Sequence, residues 1–323
     1  MGVNMKRILI TAIGSLAGDA VIQTLREQGH YVVGTDIYPK EWIANAQMVH
    51  TFYNVPLSIN EEHYIDSLLK ICSDEKIDFL FPLTDLEIDV LNVNRSKFES
   101  IRTCLCMSGT ESIRICRNKR ISASIIGQSA LCNMIPDYSA EEIEMKDIYF
   151  PILCKPINGR SSQGIKIFYE DSDFYSFYNK ANPKLYLFQP YIAGNVITVD
   201  VVRNPKTNHC FTVARKELLR TLNGAGLSVQ VFQDNAFGET CKKLAEKLNI
   251  TGCVNFEFIE TKNGLRYFLE CNPRFSGGVK FSSISGYDFI TNHLNCFEGK
   301  DIETNAPIRE CWISRKYEEY ITG

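Results

Sequence analysis

The sequence predicts an α/β fold in two parts, a parallel α/β layer followed by an α+β body with antiparallel sheets. Three observations carry this. The chain opens with a strand, a glycine turn and an amphipathic helix; strands and helices then alternate through the first hundred or so residues; and beyond them strands pair as hairpins joined by polar turns. At 323 residues, and ~150 residues per domain, the chain has room for about two domains.

The first strand is Lys6-Arg7-Ile8-Leu9-Ile10-Thr11. It runs into Ala12-Ile13-Gly14-Ser15-Leu16-Ala17-Gly18, after which Val21, Ile22 and Leu25 recur at helical spacing. Gly29 ends that helix, and Tyr31-Val32-Val33-Gly34-Thr35-Asp36 completes a Rossmann-like βαβ unit. Such a unit can hold a dinucleotide, but Gly14 and Gly18 lack a glycine between them at position 16, so a purely structural layer is the better reading. A helix over 61–72 with Ile65, Leu68, Leu69 and Cys72 on one face, a strand at Asp78-Phe79-Leu80-Phe81-Pro82, a helix from Asp85 and a strand near 102–107 complete the layer. Pro82-Leu83-Thr84-Asp85-Leu86-Glu87 lies where open α/β sheets bind ligands. It reads equally well as a helix start with Asp85 as cap and Glu87 in the first turn.

Composition narrows the function. The chain is 45% apolar and 23% charged, which is enough to bury a core. Its 35 basic and 38 acidic residues leave a net charge of −3, so no overall field favours nucleic acid or an anionic membrane. The longest apolar run has four residues, 185–188, far short of the ~20 of a membrane helix. The 12 cysteines are scattered without CxxC spacing, the pattern of reduced core thiols in a cytoplasmic protein.

Any basic site must therefore be local. Arg114, Arg117, Lys119 and Arg120 crowd one helical stretch, either a solvated face or an anion site. Pro151-Ile152-Leu153-Cys154-Lys155-Pro156 is a strand with a lysine near its end, costly there without an anionic partner. The loop Asn158-Gly159-Arg160-Ser161-Ser162-Gln163-Gly164-Ile165 follows, longer than a tight hairpin needs, and its amides and hydroxyls can close over phosphates. In Leu187-Phe188-Gln189-Pro190-Tyr191-Ile192 the proline forces the chain out of its sheet, freeing backbone groups able to read an adenine edge.

The strand Cys253-Val254-Asn255-Phe256-Glu257-Phe258-Ile259-Glu260, the turn Lys262-Asn263-Gly264 and the strand Arg266-Tyr267-Phe268-Leu269-Glu270-Cys271-Asn272 form a hairpin. Alternation puts Glu270 and Asn272 on one face with Glu257 on the partner strand. Hard oxygens so placed suit Mg²⁺ on nucleotide phosphates. Pro273-Arg274-Phe275-Ser276-Gly277-Gly278 then offers a guanidinium to a transferring phosphoryl group. Arg215, Lys216 and Arg220 make a second basic stretch, either an acceptor-carboxylate site or a surface run.

In order, these motifs resemble an ATP-grasp enzyme of the carbamoyl-phosphate-synthase and biotin-carboxylase type. The matching pieces are the glycine-turn βαβ start, Pro82-x-x-Asp85-x-Glu87, Asn118-Lys119, Lys155-Pro156 with the serine-rich loop, Gln189-Pro190-Tyr191-Ile192, Glu257 and Glu270-Cys271-Asn272-Pro273-Arg274, spread over roughly residues 5–300. The resemblance implies a Rossmann-like pre-ATP-grasp domain (1–108), an ATP-grasp small lobe with its phosphate flap (109–188), a large lobe with the metal site (189–310) and a tail (311–323). It implies that Lys119 and Lys155 hold the α- and β-phosphates and that the flap, with Gly159, Ser161, Ser162 and Gly164, closes over the γ-phosphate. Gln189, Pro190, Tyr191 and Ile192 would read adenine; Glu257, Glu270 and Asn272 would carry two Mg²⁺ ions, with Mn²⁺ as an alternative. Arg274 and Lys155 would serve the transfer, and Glu87, Arg215, Lys216, Arg220, Ser276 and Gly277 would face the substrates.

The activity implied is ATP-dependent joining of a small carboxylate to an amine, without nucleic acid or membrane, and compatible with a homodimer. A non-catalytic nucleotide-binding module and an NAD-dependent oxidoreductase are the alternatives. Three departures separate the chain from the pattern. Asn195 and Val196 follow Gly194 where the family usually has a glutamate two residues on; the flap has two glycines; and 49 residues follow Arg274, too few for the C-terminal domain of a biotin carboxylase.

Overall fold

The computed structural model describes residues 5–159, 163–222 and 224–323; Ser161 and Ser162 of the expected flap lie outside them. β1 (Arg7–Ile10), α1 (Gly18–Glu27) and β2 (Tyr31–Asp36) form the expected βαβ unit. β3 (Thr51–Asn54), α2 (Glu61–Asp74), β4 (Phe79–Phe81), α3 (Asp85–Val93), α4 (Arg95–Ser100) and β5 (Cys104–Leu105) complete a parallel sheet in the order β3-β2-β1-β4-β5. α2 buries Tyr64, Ile65, Leu68, Ile71 and Cys72, a 3.6-residue stripe on this sheet.

Two local expectations change. The last strand is only two residues long, because Arg102 before it sits at φ +61° and Met107 N–H already folds back on Leu105 O. α3 does begin at Asp85, but its cap is Thr84: the Thr84 N–H donates to Glu87 Oε2 at 3.2 Å and the Thr84 hydroxyl at 2.7 Å.

α5 (Thr110–Arg117) and α6 (Lys119–Ser129) lead through β6 (Asn133–Met134) and α7 (Ala140–Glu144) into β7 (Ile152–Pro156), β8 (Lys166–Phe168), α8 (Asp171–Tyr178) and β9 (Tyr186–Pro190). β8-β7-β9 form a small antiparallel sheet whose core is aromatic, with Phe174 at its centre. β10 (Asn195–Asn204), β11 (His209–Arg220), β12 (Gly226–Phe232), α9 (Asn235–Lys247), β13 (Gly252–Glu260), β14 (Arg266–Asn272), α10 (Val279–Ile284), α11 (Phe289–Glu298) and β15 (Cys311–Ser314) build the rest. The large sheet runs β15-β12-β11-β10-β13-β14-β6, antiparallel except where β14 meets β6.

Strand alternation gives this sheet two different faces. Val199, Val201, Phe256 and Phe258 pack against Cys241 and Leu244 of α9. On the opposite face Val202, Val213, Val229 and Val231 share a core with Phe289, Ile290 and Leu294 of α11 and with Ile8, Ile10 and Phe81 of the first sheet. The first layer is thus packed against the body through one continuous core. Polar contacts cross the same junction: Ser108 Oγ donates to Thr251 O at 2.9 Å, and Ser112 Oγ to Asn249 O at 2.9 Å. Among the described residues no helix is long and apolar enough to cross a membrane.

His293 closes the junction. Its Nδ1 accepts from Cys253 N–H at 2.8 Å and its Nε2 lies 3.1 Å from Cys106 O. Both contacts are met by the neutral ring, and burial pulls its pKa down to about 3 from 6.5. The unfolded chain takes up this proton as pH falls below 6.5 while the folded chain refuses it, so stability is lost from pH 6.5 downward towards 3. His293→Gln is expected to flatten the acid limb by up to ~1.4 kcal/mol per pH unit in that window, read from urea unfolding at pH 7 and pH 5.

Candidate active site

The hairpin register brings the carboxylates together. Glu257 pairs directly with Glu270 and Asn255 with Asn272, and an irregularity in the pairing follows at Phe258. Asn272 is 8% exposed, and its Nδ2 donates to Asn255 Oδ1 at 3.1 Å and to Glu270 Oε1 at 3.4 Å. It is the amide nitrogen, then, that Asn272 turns toward the Glu270 carboxylate. Burial and then the charge of Glu270 push the Glu257 carboxyl up to about 7.

Cations from three elements surround this pair. Asn118 caps α6 with bonds of 3.1 Å from Arg120 N–H and Ile121 N–H, and so aims Lys119. The Lys119 ammonium donates to Gly159 O at 2.6 Å and meets Glu270 Oε2 at 2.9 Å. Burial alone would raise Glu270, yet Lys119 and Lys155 hold it below the usual carboxylate range. Lys155, on β7, is 8% exposed and its ammonium has no hydrogen-bond acceptor among the described residues. Burial pulls it down to about 8 against the opposing charge of Glu270. Arg220 reaches Glu257 Oε2 at 3.3 Å and Gly224 O at 2.7 Å.

Arg274 is held from the other layer. Its Nη2 donates to Asp85 Oδ2 at 2.9 Å and its Nη1 to Phe275 O at 3.1 Å. Burial would raise Asp85, but Arg274 and then Arg117 keep it below the ordinary range. The four basic residues at 114–120 therefore divide. Arg114 pairs with Glu111 on an exposed face, Arg117 binds Asp89 at 2.8 Å and flanks Asp85, Arg120 ties α6 to Asp137, and Lys119 alone reaches the carboxylate pair.

At the flap, Gly164 sits at φ +74° with Pro156 Cγ 2.9 Å from where a side chain would begin, and Gly159 lies 3.3 Å from the same proline by that measure. β9 ends at Pro190, as the missing donor requires, and Tyr191 N–H bonds to Pro151 O at 2.9 Å. Gln189 Nε2 donates to Ile135 O at 3.1 Å while its buried Oε1 has no partner. Tyr191 is exposed and Ile192 half-buried beside it.

Several expectations about the substrate side are corrected. Glu87 is buried and consumed by Tyr64, whose hydroxyl donates at 2.9 Å, and by Thr84, so it cannot face a substrate. The stretch at 215–220 does not act as one patch. Arg215 is 1% exposed, donating to Asp200, Glu217, Ser276 and Ser282, while Lys216 lies on the opposite face, 2.7 Å from Glu260. Ser276 is an acceptor within that buried network, and Gly277 presents its carbonyl to Arg315 at 2.7 Å. Asp36, the residue a dinucleotide ribose would need, accepts from Gly14 N–H at 2.8 Å and Tyr38 N–H at 3.2 Å. A side chain at Gly18 would begin 2.1 Å from Ile13 O. Asp36 is thus tied into the glycine turn it faces.

Among the described residues no three His, Cys, Asp or Glu side chains converge as a metal cage. The available oxygen donors are the two facing carboxylates, with the Asn272 side chain beside them presenting its amide nitrogen to Glu270. That oxygen-only set fits a hard divalent cation bridging to phosphate, which completes its shell from outside the protein.

Comparison with known proteins agrees with this architecture. Residues 8–106 match the family model described as PylC-like, N-terminal domain, and residues 182–318 the model described as ATP-grasp in the biosynthetic pathway with Ter operon. The large chain of carbamoyl phosphate synthase from Agathobacter rectalis is 25% identical over 181 residues, covering 51% of this chain and 17% of that one. This chain thus spans about a sixth of that relative. A biotin carboxylase from Campylobacter jejuni, solved with β,γ-ATP, superposes with a TM-score of 0.78 at 19% identity, covering 94% of this chain and 74% of that one. The biotin carboxylase domain of Hydrogenobacter thermophilus 2-oxoglutarate carboxylase, solved with MgADP, ADP and bicarbonate, gives 0.79 at 18%, covering 96% and 74%.

The buried pair between Arg274 and Asp85 gives a test. Asp85→Ala leaves two guanidinium groups facing the gap without their shared counter-charge, and is expected to cost about 3 kcal/mol. Urea unfolding of wild type, Asp85→Ala and Asp85→Asn checks this, with Asn the milder change.

Proposed function

For a chain that belongs to the ATP-grasp superfamily and carries its biotin-carboxylase- and carbamoyl-phosphate-synthase-like fold, we propose an ATP- and Mg²⁺-dependent ligase that joins a small carboxylate to an amine. The observation that carries this reading is the facing pair Glu257–Glu270 with Lys119 on one side and, beside it, Lys155, which has no hydrogen-bond acceptor among the described residues. A surface ion-pair network has no use for a buried lysine without an acceptor; a site for polyphosphate does.

In this reading Lys155 and Lys119 take the nucleotide phosphates, the flap with Gly159 and Gly164 closes over the terminal one, and the segment 189–192 receives adenine. Glu257, Glu270 and Asn272 would hold Mg²⁺, which supplies charge neutralisation at the phosphates. A substrate carboxylate oxygen attacks the γ-phosphorus, the bond to the β–γ bridging oxygen breaks, and ADP leaves. An amine nitrogen then attacks the acyl carbon; phosphate departs with the bonding pair, the nitrogen releases a proton and an amide remains. Arg274, held by Asp85, neutralises charge developing on the transferred group.

Glu270→Gln is expected to keep ATP-dependent thermal stabilisation but lose Mg²⁺-dependent ADP release, measured with a metabolite extract, by ~10²-fold or more. ATP stabilisation without ADP release in the wild type would reduce the protein to a nucleotide-binding module. Lys155 adds a pH signature. It is charged below about 8 and neutral above, so above that value phosphate binding must first draw a proton. ATP affinity, read by calorimetry, should fall by up to ~tenfold per pH unit above 8, and Lys155→Arg should abolish that dependence.

A further inference from the structure

Arg315 follows β15 at the edge of the large sheet, its N–H donating to Leu227 O at 2.8 Å. The guanidinium turns inward over the strap that follows Arg274. Nη2 donates to Gly277 O at 2.7 Å and the group lies 5.1 Å from the centroid of the Phe281 ring. Its electrostatic situation differs from that of the neighbouring cations. Lys119, Arg220 and Arg274 stand 2.9, 3.3 and 2.9 Å from carboxylate oxygens, and Arg215 lies between Asp200 and Glu217. Among the described residues, which include every Asp and Glu of the chain, Arg315 has no ion-pair partner, and its buried Nε has no acceptor. A half-buried guanidinium with an open donor and no carboxylate in ion-pair contact is a standing site for an anion.

Two other segments meet Gly277 beside it. A side chain placed at Gly277 would lie 3.4 Å from Leu16 Cβ and 3.9 Å from Ala225 Cβ. Gly277 is therefore neighboured by Leu16 of the glycine turn after β1 and by Ala225 just before β12, with Arg315 on its carbonyl. Ala225 comes five residues after Arg220, which contacts Glu257, and so links this face to the carboxylate pair. Leu16 and Ala225 are its apolar neighbours and Arg315 its charged one.

We propose that Arg315 holds the non-reacting anionic group, a carboxylate or phosphate monoester, of the small substrate whose other end meets the carboxylate pair. This rests on the ligase reading. It also assigns to Arg315 the role that Arg215, sealed among its own partners, cannot fill.

The test uses the full chain as wild type, Arg315→Ala, Arg315→Lys and Glu270→Gln, at saturating MgATP. ADP release is measured with three pools: L-amino acids, the corresponding amino-acid amides, and phosphorylated small metabolites. The wild type should respond to an anionic pool, the amino acids if the group is a carboxylate or the phosphorylated pool if it is a phosphate. Arg315→Ala should raise the half-saturating concentration of that pool about tenfold or more, with the half-saturating ATP concentration and the melting temperature unchanged, and Arg315→Lys should lie between. If Arg315→Ala saturates like the wild type while Glu270→Gln is silent, the inference fails and the ligase reading stands. If the wild type releases no ADP with any pool, both fail.

Discussion

Two carboxylates facing each other across one hairpin are the constraint on which the site depends. Glu257 and Glu270 are forced together by register, and like charges at such range must be neutralised or protonated. The chain meets this from several directions: Lys119 from the start of α6, Lys155 from β7, and Arg220 from the end of β11. Each is itself positioned by ordinary local physics, a helix cap for Lys119 and a strand position for Lys155. Glu257, left near 7, is the member of the pair whose charge is least compensated, and it is there that a divalent ion gains most.

A site built from several layers needs those layers held rigidly. Asp85 begins α3 of the first layer, yet it carries Arg274, just past β14 of the large sheet and 189 residues further along the chain. The continuous apolar core beneath, with the neutral His293 and the hydroxyls of Ser108 and Ser112 at the seam, fixes that bridge. Removing water from the junction also lowers the local dielectric and makes each ion pair in it stronger. Packing and electrostatics therefore act on the same residues, and the position of Arg274 is a property of the docked layers more than of its own strand.

What was legible in the sequence followed rules of short range. Alternation and a three-residue turn placed Glu257 beside Glu270, a proline ended β9, and a lysine in an aliphatic strand announced an anion. The unread parts were of longer range or depended on small shifts. Glu87 had a motif position that suited a ligand, but Thr84 and Tyr64 claimed it. Arg215 and Lys216 are adjacent in sequence, so a strand sends them to opposite faces and no single patch forms. Asp85 gave a cap-like signal while its partner lay far away. Arg315 stands in a polar stretch with no motif, and only the fold brings it over Gly277.

The account stands or falls on phosphoryl transfer from ATP to a carboxylate. Positional isotope exchange tests this directly: ATP carrying ¹⁸O in the β–γ bridge is incubated with the protein, Mg²⁺ and small carboxylates lacking an amine, and the label is followed by ³¹P NMR. Reversible acyl-phosphate formation lets the β-phosphate rotate, so the bridge label is expected to scramble into non-bridging positions only when both Mg²⁺ and a carboxylate are present. Bound ATP whose label stays in the bridge under every carboxylate tried would contradict the central claim.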